Sequence, residues 1–461
     1  MNMGQQQQTP GYSGKMLPLT GGFVAGDTVS WRHGSAVCYE EFLCQAAAVA
    51  QQLPDKTQLI NLVSDRYLFM VSFVAALLRK QVHLLPPNQT PNMIMDIARR
   101  YPDSYILSDQ ELPAFDIATM RLGYPVPVAA HGPERLEVSA EQLAAIAFTS
   151  GSTGVPKANE KTWACLLAGA RMAHKRFWQD RPVKANIVAT VPQQHMYGLE
   201  TTIIQPLLCG FAIHAGRPFY ANDVRLALEM VSAPRVLVTT PLHIRACIRE
   251  GIRLPGIHHI LSATAPLSIE LARQAEEQFQ TPVLEIYGCT EAGSIASRRT
   301  IEGDQWHAFD GIQLFMQDDI AYANVPEICD AVELGDIIRL VDARQFSIHG
   351  RVSDLINIAG KRTSLGDLNH KLNAIDGVED GAFLLPDGLD EQIGRLMAFV
   401  VAPTMSKEQI LKELRQSIDP VFLPRPLYMV DALPRTESSK LPRDHLVAMA
   451  KQMMSKHSSR S

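Results

Sequence analysis

Long apolar runs, paired cysteines and an apolar leader are all absent from the sequence. The longest apolar run, Phe69 to Leu78, is about half the length that a membrane-spanning helix needs, so stable membrane insertion is not expected. Residues 1–15 are polar and have no apolar core, which argues against a secretory signal. The seven cysteines are scattered and form no Cys-x-x-Cys pair, which predicts neither a disulfide framework nor a zinc site. A reduced, cytoplasmic protein is therefore expected.

A basic excess is also absent. The chain has 43 Lys and Arg against 48 Asp and Glu, a net charge of -5 at pH 7, so no nucleic acid partner is expected. Its hydrophobic share of 46% is that of an ordinary globular protein. Because 461 residues exceed what one hydrophobic core usually holds, two or three packed units are expected.

Short apolar runs alternate with helical patterns over most of the chain. Buried strands are predicted at 59–63, 82–85, 144–149, 187–191, 236–240, 259–262 and 283–287. Strands that alternate with helices predict an α/β fold, with parallel sheets flanked by helices. The segments 336–340 and 345–349 carry turn residues between them and predict a small antiparallel β unit.

The same pattern predicts three regions. Residues 1–20 are rich in Gln, Gly and Pro and are expected to form a flexible tail. Residues 21–350 form a large N-terminal domain, and residues 351–461 form a small α+β domain that ends in a polar, basic tail.

The most informative segment is Ala147–Lys157, AFTSGSTGVPK, directly after a predicted buried strand. Its glycines allow main-chain N–H groups to turn toward an anion, its hydroxyl groups add donors, and Lys157 adds a positive charge. This combination suits a polyphosphate. The segment does not fit the GxxxxGK[ST] pattern, which argues against a P-loop kinase.

This loop resembles the TSGSTGxPK signature of the adenylate-forming superfamily, which includes acyl-CoA synthetases, adenylation domains and luciferases. Further matching segments follow in that family's order. They are VPQQHMYGL (191–199), LSATAPL (261–267), EIYGCTEAG (285–293), Gly335-Asp336, Gly350-Arg351 and PRTESSK (434–440). The stretches LLPPNQTP (84–91), HMYGLETT (195–202) and GKRTSLGDL (360–368) look like short ligases of aryl-polyene and xanthomonadin-type pathways, which load an acid onto an acyl carrier protein.

The resemblance implies an ATP- and Mg²⁺-dependent enzyme that converts a carboxylic acid to its acyl-adenylate and passes the acyl group to a thiol. It implies a large adenylation domain and a mobile C-terminal lid that carries the catalytic lysine. The catalytic residues implied are Lys440, Glu291, Thr290 and Lys157. Those implied around the nucleotide are Thr149, Ser150, Gly151, Ser152, Thr153, Gly154, Thr264, Ala265, Tyr287, Asp336 and Arg351. Those implied in the acyl pocket are His195, Ala263, Gly288 and Cys289.

Individual roles follow from the same resemblance. Lys440 is expected to bridge the carboxylate and the α-phosphate, and Thr290 to donate to that phosphate. Glu291 is expected to hold Mg²⁺, since a carboxylate is a hard ligand for a hard cation. Tyr287 is expected to stack on adenine, and Asp336 to accept both ribose hydroxyl groups. A histidine such as His195 in an apolar stretch can also be a hydrogen-bonded core residue.

Two positions depart from the family's pattern. Ser353 stands where the family's hinge usually carries Asp or Lys, and Ser439 replaces the glycine next to the catalytic lysine. Neither change removes a charge from the site. A hinge position needs only to absorb a change in backbone angles, so serine can serve there.

The acceptor and the acid stay open at this stage. An acyl carrier protein is the first choice for the thiol, because a basic C-terminal face would steer an acidic carrier, and coenzyme A is the second. A ligase that releases its adenylate to another acceptor and a non-catalytic nucleotide-binding relative are further alternatives. An aryl acid and a short fatty acid are both compatible with the sequence.

Overall fold

The computed structural model describes residues 14–32, 34–149, 156–179, 183–328, 330–351, 355–358, 361–385, 396–436 and 441–458. The strands in chain order are β1 Met16–Pro18, β2 Thr28–Arg32, β3 Ser35–Cys38, β4 Gln58–Asn61, β5 Val82–Leu85, β6 Ser104–Ser108, β7 Thr119–Arg121, β8 Glu137–Ser139, β9 Leu143–Thr149, β10 Lys157–Thr162, β11 Asn186–Ala189, β12 Ala212–His214, β13 Arg235–Thr239, β14 His259–Ser262, β15 Val283–Cys289, β16 Gly293–Arg299, β17 Trp306–Ala308, β18 Gln313–Gln317, β19 Ile320–Asn324, β20 Val332–Leu334, β21 Asp336–Leu340, β22 Gln345–Arg351, β23 Leu355–Ile358, β24 Lys361–Ser364, β25 Asp380–Leu384, β26 Met397–Val401 and β27 Leu427–Met429.

Helices connect most of these strands. They are α1 Tyr39–Gln52, α2 Arg66–Leu78, α3 Pro91–Arg100, α4 Trp163–Trp178, α5 Met196–Leu199, α6 Gln205–Cys209, α7 Ala221–Glu229, α8 Pro241–Arg249, α9 Ile269–Phe279, α10 Leu365–Asn373, α11 Lys407–Ser417 and α12 Arg443–Ser458. A π-helical turn, Glu200–Ile204, joins α5 to α6, and short 3₁₀ turns lie at Thr300–Glu302 and Pro420–Phe422. None of the helices in the described part of the chain is long and apolar enough to cross a membrane.

Two large sheets form the main body. The first has the strand order β10-β9-β5-β4-β6-β7, and all neighbours except β10 and β9 are parallel. The second has the order β21-β22-β17-β16-β15-β14-β13-β11-β12-β2-β3, with a parallel centre from β15 to β2 and antiparallel strands at both ends. The predicted α/β class and the predicted buried strands are confirmed.

Helix α2 lies in the interior of this body. Its residues are buried from Arg66 to Leu77, as expected for a helix that is apolar on every side. Arg66 is fully buried and donates to the carbonyl oxygens of Ala189, Val191, His214 and Gly216, which follow or end β11 and β12. The arginine therefore holds together the carboxyl ends of two strands next to the region where ligands bind in α/β sheets.

The antiparallel β unit differs from its prediction. Strands β21 and β22 do pair with each other, but β22 also pairs with β17 and so extends the large sheet. The driving contact is apolar, because Phe346 of β22 is fully buried beside Trp306 of β17. The separate small sheet is β18-β19-β20, which begins earlier in the chain.

The predicted tail at residues 1–20 is too long. Strand β1 pairs with β8, and Leu17 and Leu19 are buried in the main core, so residues 16–20 belong to the folded body. At the other end of the chain, the strands after Arg351 pair only with one another among the described residues, in the sheets β23-β24 and β25-β26-β27. The division near residue 350 stays a prediction.

Candidate active site

The predicted phosphate loop connects two paired strands. Strands β9 and β10 are antiparallel, and their register places Thr149 opposite Lys157 at the mouth of the loop. Side chains alternate along a strand, so Lys157 and Lys161 share one face of β10. The loop residues between these strands (Ser150, Gly151, Ser152, Thr153 and Gly154) lie outside the described residues.

A second hairpin, β15 to β16, reaches the same place. Its turn carries Thr290 and Glu291, both of intermediate exposure. The Nζ of Lys157 donates to Oε1 of Glu291 at 3.2 Å, and the Nζ of Lys161 donates to the main-chain oxygen of Glu291 at 2.6 Å. Two lysines of one hairpin therefore hold one glutamate of the other.

The two lysines differ in their surroundings. The Lys157 side chain is 64% exposed, so its ammonium group is accessible to an incoming anion. Lys161 is only 2% exposed, which confines its charge to the contact with the turn. Partial burial opposes ionisation of Glu291, but the hydrogen bonds from its own main chain and from Lys157 outweigh burial and lower the pKa of the Glu291 carboxyl. Glu291 is thus an ionised carboxylate beside an exposed cation.

The predicted adenine and ribose residues, Tyr287 of β15 and Asp336 of β21, are in contact although three strands separate β15 from β21 in the sheet. The hydroxyl of Tyr287 donates to Oδ2 of Asp336 at 2.7 Å. The Tyr287 ring packs against Trp306 and Phe346, with ring centroids 5.6 Å away in both cases. The second carboxylate oxygen of Asp336 can accept from a further hydroxyl group. The main chain of Arg351 lies opposite Asp336 in the β21-β22 register.

The segment after β14 contains a buried hydroxyl group, that of Thr264, without a hydrogen-bond partner among the described residues. Thr264 has a φ of +77°, which a β-branched residue adopts only under strain, and such strain is concentrated at functional sites. Its Oγ1 is buried and has no hydrogen-bond partner among the described residues, and the same is true of Oγ of Ser262. Ala265 follows with intermediate exposure. These hydroxyl groups are available to a ligand such as the predicted nucleotide.

The predicted acyl-pocket residues lie on three elements. His195 directly precedes α5, and two residues later the hydroxyl of Tyr197 donates to the carbonyl oxygen of Leu261 at 2.9 Å. That contact brings the α5 segment to the end of β14, where Ala263 is buried. The structure thus brings these two parts of the predicted pocket close together.

Gly288 and Cys289 occupy the end of β15. A Cβ on Gly288 would lie 2.2 Å from the carbonyl oxygen of Gly293, so the pairing of β15 with β16 by itself requires glycine there. Burial raises the pKa of the Cys289 thiol to about 11, although its sulfur accepts a hydrogen bond from the main chain of Ala292. A thiol with such a pKa is un-ionised near neutral pH, which argues against a nucleophilic role for Cys289.

Sequence reasoning missed two residues of this region. Lys161 lies four residues after Lys157 on the same strand, and the two-residue period of a strand was the available signal. Glu200 lies inside the segment HMYGLETT, which had been interpreted through its histidine alone. The side chain of Arg351 and the whole of Lys440, Ser353 and Ser439 lie outside the described residues.

The arrangement fits ATP and magnesium. No group of three or more His, Cys, Asp or Glu side chains that could hold a metal ion occurs in the part of the chain that the structure describes. Magnesium is commonly held by one or two carboxylates together with substrate phosphates, which is what Glu291 beside the phosphate loop offers. Bound magnesium would neutralise phosphate charge, and Lys157 would face the same oxygens.

Comparison with known proteins agrees with this geometry. The family model described as AMP-binding enzyme matches residues 33–313, more than half of the chain. A 4-coumarate–CoA ligase of Rhodobacter capsulatus is 28% identical over 311 residues, which are 66% of this chain and 76% of the relative. A D-alanine–D-alanyl carrier protein ligase of Bacillus cereus is 25% identical over 359 residues, 66% of this chain and 70% of the relative.

Solved structures share the fold. ATP-bound MatB from Rhodopseudomonas palustris is 18% identical with a TM-score of 0.78, over 93% of this chain and 97% of that chain. The o-succinylbenzoate CoA synthetase of Bacillus subtilis in complex with ATP and magnesium is 17% identical with a TM-score of 0.77, over 91% and 96% of the two chains. The chain belongs to the family of AMP-binding enzymes and is an AMP-forming acid–thiol ligase that uses ATP.

Proposed function

We propose that this enzyme forms an acyl-adenylate and pyrophosphate from an aryl or short acyl carboxylic acid. It then transfers the acyl group to the phosphopantetheine thiol of an acyl carrier protein. The observation that carries the adenylation half is the ion pair between Lys157 and Glu291, which joins the phosphate loop to the turn after β15. Coenzyme A is the alternative acceptor.

The ion pair supports adenylation because the reaction brings two anions together. A carboxylate must approach the α-phosphate of ATP, so cations and N–H donors have to be fixed around the phosphates beforehand. Lys157 offers a cation, and the turn residues Thr290 and Glu291 offer a hydroxyl group and a carboxylate next to it, which supports the proposal. We assign Lys157 to the phosphates and Glu291 to magnesium.

The nucleoside is assigned to Tyr287 of β15 and Asp336 of β21. Asp336 is proposed to bind ribose through its carboxylate, and its contact with the Tyr287 hydroxyl fixes that carboxylate in one orientation. The adenine ring is proposed to lie against the Tyr287 ring, next to Thr264 and Ala265. We further propose that Arg351 adds a second contact to the nucleotide and that Lys440 bridges the two reacting anions.

The choice of acceptor draws on the relatives as well as on the sequence. Their names include ligases for coenzyme A and a ligase for a D-alanyl carrier protein. The likeness of three segments to carrier-protein ligases and the basic residues of the C-terminal region favour a carrier protein. The aryl acids in the names of relatives, 4-coumarate and hydroxybenzoate, favour an aromatic substrate.

Two measurements test the proposal. Pyrophosphate–ATP exchange across a panel of aryl and short alkyl acids measures adenylation, and mass spectrometry of a holo carrier protein measures transfer. Exchange with at least one acid, followed by an acyl adduct on the carrier, is the expected result. Acyl-CoA formation without any adduct on the carrier would reverse the ranking of acceptors.

The role of the ion pair has a matched control within the chain. Lys157→Met should lower exchange by about 10²-fold, the order found when one fixed charge stabiliser is lost. Lys175 forms a comparable surface pair with Asp310 at 2.9 Å, and Lys175→Met should leave exchange unchanged. Equal effects of the two substitutions would remove the support that the ion pair gives to adenylation.

A further inference from the structure

Glu200 occupies an unusual position in the main chain. It is the first residue of the π-helical turn Glu200–Ile204, which interrupts the helical segment between α5 and α6. π-Helical turns are rare, and those that do occur are frequently found at functional sites. The wider turn changes the direction in which a side chain points. Here the turn directs a carboxylate toward the β15-β16 hairpin.

Glycines leave room for this carboxylate. A Cβ on Gly293, the first residue of β16, would lie 2.3 Å from Oε1 of Glu200, and one on Gly169 of α4 would lie 3.6 Å from it. Gly293 also has a φ of +78°, which favours glycine. Oε2 of Glu200 accepts from Oγ of Ser294 at 2.6 Å and from its main-chain N–H at 3.1 Å. Ser294 therefore provides the hydrogen bonds to the Glu200 carboxylate that the structure shows.

The carboxylate has acceptor capacity to spare. No lysine, arginine or histidine of the described residues lies within ion-pair distance of it, in contrast with buried Glu285, which pairs with Arg298 at 2.7 Å. Burial raises the pKa of the Glu200 carboxyl, and the contacts from Ser294 and the charge of Lys161 reduce that rise only in part. Ser294 contributes two donor groups, its Oγ–H to Oε2 and its main-chain N–H shared between Oε2 and Oε1 at 3.1 and 3.3 Å, which is fewer than the acceptor sites that a glutamate carboxyl group offers. A buried acceptor without a partner is unfavourable.

A small cavity adjoins the open side of Glu200. Its wall is largely apolar. Besides Glu200, the residues that line it include Ala170, Phe177, Ile286 and Phe309. Its volume of about 10 Å³ admits about one water molecule with the side chains as they stand. The cavity therefore has room for a single polar group of a ligand and not for a whole one.

The cavity lies on the hairpin that carries the proposed magnesium ligand. Ser294 follows Glu291 by three residues, so their Cα atoms are at most about 11 Å apart. A short aryl acid with its carboxyl group near Glu291 could bring its opposite end toward Ser294. Because the cavity admits only about one water molecule, a ligand would place no more than one hydroxyl or amino group in it, with its apolar body outside.

We propose that Glu200 selects the acid substrate by accepting a hydrogen bond from a donor group, hydroxyl or amino, at the end remote from the carboxyl. This inference rests on the proposed function and narrows it to aryl acids that carry such a donor. The donor takes the place in the cavity that a water molecule would fill. An acid without the donor leaves the Glu200 carboxylate buried and incompletely hydrogen-bonded, and sites of this kind discriminate strongly against such analogues.

Pyrophosphate–ATP exchange with paired acids tests the proposal. The pairs are benzoate against 3- and 4-hydroxybenzoate, benzoate against 3- and 4-aminobenzoate, and cinnamate against 4-hydroxycinnamate. The unmodified enzyme should prefer a donor-bearing member by about 10²-fold or more in kcat/KM. Comparison of the hydroxyl-substituted with the amino-substituted acids shows which donor group the site accepts.

Variants separate recognition from structural support. Glu200→Leu should abolish or invert the preference, chiefly by raising kcat/KM for the unsubstituted acid. Ser294→Ala removes a contact to the carboxylate but keeps the carboxylate itself, so the preference for a donor should persist. If Glu200→Leu fails to fold, Glu200→Gln keeps the shape and one acceptor oxygen and should reduce the preference at least tenfold.

Contrary outcomes are distinguishable. Equal exchange with both members of every pair, or an unchanged preference in the Glu200 variant that folds, overturns the assignment of Glu200 and leaves adenylation intact. Absence of exchange with these acids and with the whole panel of aryl and short alkyl acids, in folded enzyme with ATP and magnesium present, overturns the proposed function instead. Exchange with alkyl acids alone overturns the assignment of Glu200 and leaves adenylation intact.

Discussion

Replacing Lys161 with methionine removes a buried charge that holds the turn after β15. The Nζ of Lys161 lies 2.6 Å from the carbonyl oxygen of Glu291, and the side chain is 2% exposed. A hydrogen bond to a charged group contributes about 1.5–3 kcal/mol, so the free energy of unfolding should fall by about 2 kcal/mol. The methionine side chain keeps much of the volume, and the loss is therefore electrostatic.

The activity should respond through Glu291. Without Lys161, the main chain at Glu291 loses its anchor, and a displacement of the carboxylate by about 1 Å can lower a rate by about 10²-fold. We expect a decrease of that order in pyrophosphate release. We also expect a higher Mg²⁺ concentration for half-maximal activity, because Lys161 acts by positioning the proposed metal ligand.

The assay compares pyrophosphate release over a range of Mg²⁺ concentrations with urea unfolding of the same samples. Lys184→Met is the matched control, since Lys184 also donates to a main-chain oxygen, that of Gly22, and pairs with Asp27. It should lower stability without altering the Mg²⁺ dependence. An unchanged Mg²⁺ dependence in Lys161→Met, with stability reduced as in the control, would refute the positioning role.

Three further outcomes are expected. Lys440→Ala should lower adenylation by about 10²- to 10³-fold yet leave transfer from supplied acyl-AMP nearly intact, and near-normal pyrophosphate release would contradict its assignment. Asp336→Asn should raise the KM for ATP by about tenfold. Tyr287→Phe removes the 2.7 Å hydrogen bond to Asp336 but keeps the carboxylate, so it should raise the KM less. Equal changes would argue against direct ribose binding by Asp336. The pKa of Glu291 is lowered in the folded state, so its contribution to stability is complete above about pH 4.5 and is lost as the pH falls further. Urea unfolding from pH 6 to pH 3.5 measures the free energy of unfolding of the unmodified protein and of Lys157→Met. The difference between the two should decrease as the pH falls, and a constant difference would count against the ion pair.

The sequence was sufficient for the family and for most of the strands. Strands β9, β14 and β15 were predictable because a strand buried on both faces has to be a short, continuous apolar run. The loop 149–157 was recognisable because glycines, hydroxyl groups and a lysine at that density suit a polyphosphate. The departures were at places where local pattern is weak, such as the start of the fold at β1 and the attachment of β22 to β17.

What the sequence determined by itself is the family and the residues that we propose to meet ATP, since both depend on short contiguous motifs. Only the tertiary structure decided which of those groups touch. Lys157 and Lys161 reach Glu291 across 134 and 130 residues of sequence, and Tyr287 reaches Asp336 across 49. Glu200 shows the reason most clearly, because nothing in its local sequence reveals that a distant glycine and serine enclose its carboxylate. Burial, and the absence of a cationic partner among the residues that the structure describes, are properties of the packed chain, and they gave Glu200 its proposed role.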